Sequence, residues 1–502
     1  MKRVPGRVLL FACILSANFQ TTALLAADTA DMLTLDAVIT AVVTNHPDLA
    51  ISDLDTAIAA IETRKLAGIL DATVNASIGI RDDETPVASD FQPEATRIGQ
   101  VSGGISRPLV SGASVNALID YSRTRQQFSS PLAAQLARIN PAYRGSISVQ
   151  YRHPLARGAD RPAYREGLEA ADADTAASRL RRELVARHLA LATLNTFYQL
   201  LSSEVSIRLA DIAVDRATRL LDYQHLREEF GLIETADRQQ AEALLATRAL
   251  ELQEARALRE QHRVALNRLM RRDPGTSVAI LANDAATAHL QSLNDVFDIA
   301  ATHRPEFRIL DAQLGAAMSR QRIARDGTRA QVDIVAELGS MALDRNAGDA
   351  ATGTLSPNDT FAGLSLEFSE RLGNRTADAE AQRALLMRQR VLLERHQLAE
   401  QVRDELATIL TTLQTGAETL RLARVKAQAE QDKFDAELGR YRDGRSDTAT
   451  IIQFEGDLHG AELHAELLQL SLLLGNRQLA WSTGVLFAEL GVVIPEPASA
   501  TP

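Results

Sequence analysis

The sequence predicts a mainly α-helical protein with a smaller β part, written as two tandem repeats, and three observations carry that reading. Residues 34–80 lie without a gap on residues 292–338 at a constant offset of 258, placing Leu35, Val38, Thr44, Pro47, Ile51 and Asp53 on Leu293, Val296, Thr302, Pro305, Ile309 and Asp311. Each copy opens on Ser or Thr and runs through a short apolar helix, a proline, a second helix and a strand-like alternation, so one supersecondary programme is used twice. Two proline-free stretches, about 163–230 and 375–441, each end near a glycine. They are too long for ordinary globular helices. From residue 72, and again from 330, the apolar period shifts from helical to two, as in strands with one apolar face.

Composition narrows the function classes. Of 502 residues only 4% are aromatic, with Trp481 the single tryptophan, a balance that favours long helices. The net charge of −11 argues against nucleic acid as a partner, because phosphate binding needs a basic face.

Lys2, Arg3 and Arg7 precede the apolar run VLLFACILSANF, and Ala26 and Ala27 offer a cleavage site, so residues 1–27 read as an export signal. The only cysteine, Cys13, falls inside it, either as a lipidation site or as ordinary signal filler. The mature chain is expected to hold no disulfide or thiolate metal site. After the signal there is no run of 18 apolar residues, so entry into a membrane would require a barrel.

The first repeat spans 28–270. Thr34 is the candidate N-cap of a helix carrying Leu35, Val38, Ile39 and Val42 at helical spacing, and Pro47 breaks it before a second helix to about residue 68. His46 and His303 do not align, since His303 falls on Asn45, and both read as turn histidines.

Strands follow at 72–80, 97–107, 113–123 and 143–153, within a strand region of about 72–153. Tyr121, Phe128, Tyr143 and Tyr151 fit an interfacial girdle if these strands line a membrane barrel. The alternation fits a soluble sheet packed on the helices equally well.

A long helical hairpin occupies 163–270. In its first arm Leu180, Leu184, Leu191, Leu194, Tyr198 and Leu201 recur at helical steps, and at 1.5 Å per residue that arm is about 100 Å long. Gly231 ends it and Thr235 starts the return helix.

A linker, 271–291, leads to the second repeat, 292–484, with strands in about 330–369 and a second hairpin at 375–483 turning at Gly444. Residues 485–502 are expected to be a disordered tail. The tip glycines are offset by 213 rather than 258, so the first copy carries 45 extra residues. Pro108-Leu109 with Gly112 recurs as Pro154-Leu155 with Gly158, which suggests one extra strand pair within 113–152.

These features together resemble the TolC-type outer-membrane channel family over essentially the whole mature chain. The resemblance rests on the repeat openings LDAVITAVVTNHPDL and LNDVFDIAATHRPEF, the strand ends RPLVSG and HPLARG, and the tips FGLIETADRQQAEALL and RYRDGRSDTATIIQFEGDL. It implies a homotrimer in which strands from each protomer share one transmembrane β-barrel in outer-membrane lipid, and long hairpins form a periplasmic α-barrel that narrows at their tips. It further implies an exit duct of a tripartite efflux pump or type I secretion system, with no enzymatic activity and no cofactor. A periplasmic adaptor (membrane fusion) protein would contact Gly231, Leu232, Gly444 and Arg445, and an inner-membrane transporter would supply the energy.

Positions where family members often carry two aspartates at the pore constriction hold Thr450 and Gln453 here, with Asp447 and Glu455 close by and Asp237 and Gln240 equivalent in the first repeat. The strand end FSERLGNR also lacks the proline of the first copy. The alternative is a periplasmic coiled-coil scaffold or adaptor, which would not need an apolar strand face in 72–153. Phosphate-loop, GxSxG and HExxH motifs are missing, and His459 and His464, five residues apart, splay too far to share a metal.

Overall fold

The computed structural model describes residues 32–281, 292–356 and 359–495. The expected signal segment with Cys13, and the second half of the linker, lie outside the described residues. The chain begins with β1 (Met32–Leu33), α1 (Leu35–Asn45) and α2 (Pro47–Ala67), and a 3-10 turn, Gly68–Leu70, leads into β2 (Thr73–Asp83). Then come β3 (Ala95–Pro108), β4 (Ser114–Gln127), α3 (Pro131–Leu136), β5 (Ala142–Pro154), α4 (Pro162–Glu229), α5 (Thr235–Leu269) and β6 (Ala279–Ile280). The second half runs α6 (Leu293–His303), α7 (Pro305–Gly327), β7 (Gln331–Asp344), α8 (Ala347–Gly353), β8 (Thr360–Ser369), α9 (Arg375–Arg442), α10 (Thr448–Thr483) and α11 (Leu486–Leu490).

Local chemistry explains the helix starts. Pro47, Pro162 and Pro305 each stand in a first turn, where a missing N–H costs nothing. The His46 ring caps α2 by accepting the Asp48 N–H at 3.3 Å, Ser292 Oγ caps α6, and Asp447 caps α10. Thr34 occupies the N-cap position of α1, but its side chain makes no capping bond.

Both long helices, α4 and α9, contain 68 residues, so each is about 100 Å long. Neither has a wide apolar face of its own, and they are held by packing: α4 against α5 and α7, α9 against α10 and α7. The largest core lies where α1 meets α4, joining Val38, Ile39 and Val42 to Leu194, Phe197, Leu200 and Leu266. Each such side chain contributes roughly 1.5–3 kcal/mol on burial. A second core joins α6 and α7 to α9 through Val296, Phe307, Val402 and Leu406, and a third, around Phe434, Tyr441, Ile451 and Leu458, stands near the hairpin tips.

Between the first two cores, Arg187 and Arg304 both bind Glu306, at 2.9 and 2.8 Å, and both guanidiniums lie over the Trp481 ring. Trp481 Nε1 donates to the Arg187 carbonyl at 2.8 Å, which ties α4, α7 and α10 together.

Two expectations are corrected. The segment read as linker is part of the core over its first half: β6 pairs in parallel with β1, and Val278 is buried. The tail is ordered through residue 495, because Gly484 turns the chain back at φ +88° and sets Leu486 and Val492 into the main core. The rest of the tail lies outside the described residues.

Candidate conduit surfaces: a two-faced sheet and two helical tips

The six long strands form one sheet in the order β2-β3-β4-β5-β7-β8, every neighbouring pair antiparallel. Residues 113–152 are therefore two paired strands with a short helix between them, not an unpaired loop. Cross-strand register puts like with like. One row crosses all six strands as Val74, Ile105, Ala117, Val149, Leu338 and Ala362, and the adjacent row reads Thr73, Ser106, Asn116, Gln150, Glu337 and Gly363.

The alternation gives the sheet one apolar and one polar face. Ile78 on the apolar face is 82% exposed, and Ile80, Leu364, Leu366 and Phe368 are likewise open. On the polar face Ser77 bonds Ser102 at 2.7 Å, Gln100 donates to Asp120 at 2.5 Å, and Arg152 bridges Asp333 and Glu367 at 2.8 and 2.6 Å. Tyr121 and Tyr143 stand at one end of the apolar face and Tyr151 at the other, whereas Phe128 lies beyond β4. The edge strands β2 and β8 have no outer neighbour among the described residues.

The β3–β4 connection is a tight turn clamped to the start of α4. Arg161 donates to the carbonyls of Leu109, Gly112 and Ala113 at 2.9–3.2 Å, and Asp160 N–H donates to the Ser111 carbonyl. Gly112 adopts φ +89°, and a Cβ there would collide with the Gly158 carbonyl oxygen. The two Pro-Leu-x-x-Gly segments thus pack against each other.

At the far end of the helices, both tips have the same Schellman geometry. Gly231 N–H donates to the Glu228 carbonyl and Leu232 N–H to that of Arg227; Gly444 and Arg445 make the same pair to Tyr441 and Arg440. The first tip is apolar and bare, with Phe230 71% and Leu232 64% exposed. At the second, Arg445 forms an ion pair with Asp443.

The constriction candidates separate. Asp237 is half-buried in the first turn of α5, and Gln240 and Gln453 are exposed. Asp447 accepts the Thr450 N–H at 2.7 Å as the α10 cap, a bond that holds its carboxyl below the ordinary carboxylate value; Thr450 is half-buried.

Glu455 is a correction, because it is buried between helices and not open to solvent. At 3% exposure it is bound by Arg248 at 2.6 Å between α5 and α10, where an unpaired carboxylate would be far costlier. His459 is buried beside the same arginine, and burial, then that charge, push its pKa down. His464 is exposed, so the two histidines do not converge.

Sequence reading missed the cluster that joins the tips. Gln224 Nε2 bonds Tyr441 Oη and donates to Thr448 Oγ1 at 2.8 Å, and Arg227 lies over the rings of Tyr223 and Tyr441. Burial raises the Tyr441 phenol pKa. The available signal is Gln224 itself, which continues the α4 stripe of the buried Ala213 and Ala217 and the partly buried Leu220, where another apolar residue would be expected.

No family model matches the sequence, and no curated protein matches it at a significant level. The fold, by contrast, is that of solved outer-membrane channels. The chain superposes on the outer-membrane channel OprN with a TM-score of 0.66 at 16% identity, over 90% of this chain and 89% of that one. On the outer membrane protein VceC from Vibrio cholerae the TM-score is 0.63 at 15% identity, over 92% and 97%. On the Campylobacter jejuni CmeC outer membrane channel it is 0.62 at 14%, over 90% and 86%.

Proposed function

We propose that three copies of this chain form an outer-membrane channel, the passive exit duct of a tripartite efflux pump or type I secretion system. The observation that carries this reading is the open sheet, apolar on one face and polar on the other, joined to helices about 100 Å long. An open edge invites pairing, and closure removes it. Five successive antiparallel pairings leave β2 and β8 running in opposite directions, so β8 of one copy continues onto β2 of the next in the same antiparallel pattern. The apolar face then meets lipid and the polar face lines the lumen. From Tyr143 to Tyr151, a tilted strand rises about 20 Å, close to the apolar band of outer-membrane barrels, about 25 Å tall.

The chain is read as a signal peptide, 1–27, and two repeats, 28–270 and 292–484. The equal lengths of α4 and α9 and the matching tips support the repeat. The helices stand in the periplasm, where an adaptor meets the tips at Gly231, Leu232, Gly444 and Arg445, and an inner-membrane transporter drives export. Asp237, Gln240, Asp447, Thr450 and Gln453 remain the constriction set, a weakly charged one.

The test is cross-linking of the full-length protein in separated membranes, followed by planar-bilayer conductance. A trimer confined to the outer membrane that conducts is the expected result. A soluble monomer or dimer would replace the channel with a periplasmic scaffold.

A further inference from the structure

We infer that the barrel of this channel contains eighteen strands and encloses a water-filled bore wide enough for hydrated polymers, so that its outer-membrane section does not sieve small solutes. The inference rests on the trimeric reading above. Each chain supplies six strands in one unbroken ladder, so three supply eighteen. The added β4 and β5 strands cannot stand outside the wall, because β4 pairs with β3 over fourteen residues and β5 with β7 over twelve. With a strand spacing of about 4.8 Å and a tilt of about 40°, eighteen strands give a backbone diameter of about 35 Å, against about 24 Å for four strands per chain.

Two further observations keep the bore open. The lumenal face mixes long polar side chains such as Gln150, Arg152 and Glu337 with small ones, among them Ser77, Ser102, Ser146, Ser148, Gly363 and Ser365, and one such layer cannot fill a barrel of that size. And α8 lies against the opposite, apolar face: Tyr121 Oη donates to the Ala347 carbonyl at 2.8 Å, and Thr354 Oγ1 fills the place of a Cβ at Gly145. Tyr121, Gly145 and Ala342 share a row with Ile78 and Val101, so α8 is outside the lumen.

The extra hairpin carries its own test. Deleting residues 109–154 joins Pro108 to Leu155 between the two Pro-Leu-x-x-Gly copies and leaves four strands per chain. Ser365→Cys on the lumenal face is labelled in intact cells with maleimide-polyethylene glycols added from outside, with Leu364→Cys on the apolar face as control.

In the full-length trimer a polymer of about 10 Å hydrodynamic radius is expected to label the Ser365→Cys variant and not the Leu364→Cys variant, while the deletion variant admits only polymers below about 7 Å. If the deletion variant does not assemble, the full-length cutoff decides alone. An outer-membrane trimer that excludes the larger polymer overturns the wide bore and leaves the channel reading standing. Failure to find an outer-membrane trimer overturns both.

Discussion

Glu306 binds two arginines, and its removal would leave the buried Arg187 without a carboxylate while Arg304 keeps Glu405 at 2.9 Å. Glu306→Ala is expected to cost about 3–5 kcal/mol, read as a lowered midpoint in denaturant unfolding, because it strands buried charge. Burial works to raise the Glu306 pKa, but the hydrogen bonds from Arg304 and the charges of Arg187 and Arg304 prevail and hold it below the ordinary 4.5. The unfolded chain therefore takes up this proton first as the solution is acidified. Stability from this group is complete above about pH 4.5 and falls as pH drops through the folded value. Thermal unfolding followed along a pH series should show that acid limb in the native chain and a shallower one in Glu306→Ala.

The tip glycines are a second residue-scale case. Gly231 has open space around it but φ +67°, so Gly231→Ala should cost about 1–2 kcal/mol from backbone alone. Faster proteolysis at the tip would register it; an unchanged rate would show that the turn does not depend on the left-handed residue.

Elements were legible in the sequence where a periodicity or a terminator set them. Alternation marked each long strand because one face is apolar and the other polar. Gly231 and Gly444 marked the tips because only glycine takes a positive φ at little cost. In contrast, β6 and α11 went unread: two residues pairing with β1, and five residues resting on the main core, have no pattern apart from that core.

The same two-faced logic yields a test at this scale. Leu364 and Ser365 are neighbours on β8 facing opposite sides. Leu364→Lys should block outer-membrane assembly, since a lysine on the lipid face costs about 2–4 kcal/mol near mid-bilayer. Ser365→Lys should assemble normally. Equal behaviour of the two, scored as heat-resistant trimer on gels, would mean that the sheet does not face lipid.

At the scale of the whole molecule, the single chain leaves apolar surface uncovered. On α2, Ile51, Leu54, Ile58 and Ile61 lie exposed at three- and four-residue spacing, and Leu386 and Leu393 lie exposed on α9. Such a stripe is a helix-packing seam without its partner in the single chain. Ile58→Asp is expected to leave helix content unchanged by circular dichroism while abolishing the trimer; a trimer of normal stability would place the seam against something else.

By itself the sequence determined the two long hairpins, their glycine turns and the alternating strands, because each is written in local period and backbone preference. Only the tertiary structure decided which candidates face outward. Glu455, equally plausible in sequence, is buried on Arg248, whereas Gln453 two residues away is exposed, since burial depends on which helix packs alongside. Only the structure, likewise, set the strand order and pairing that place six strands of each chain in one sheet, because pairing across hundreds of residues has no local signal.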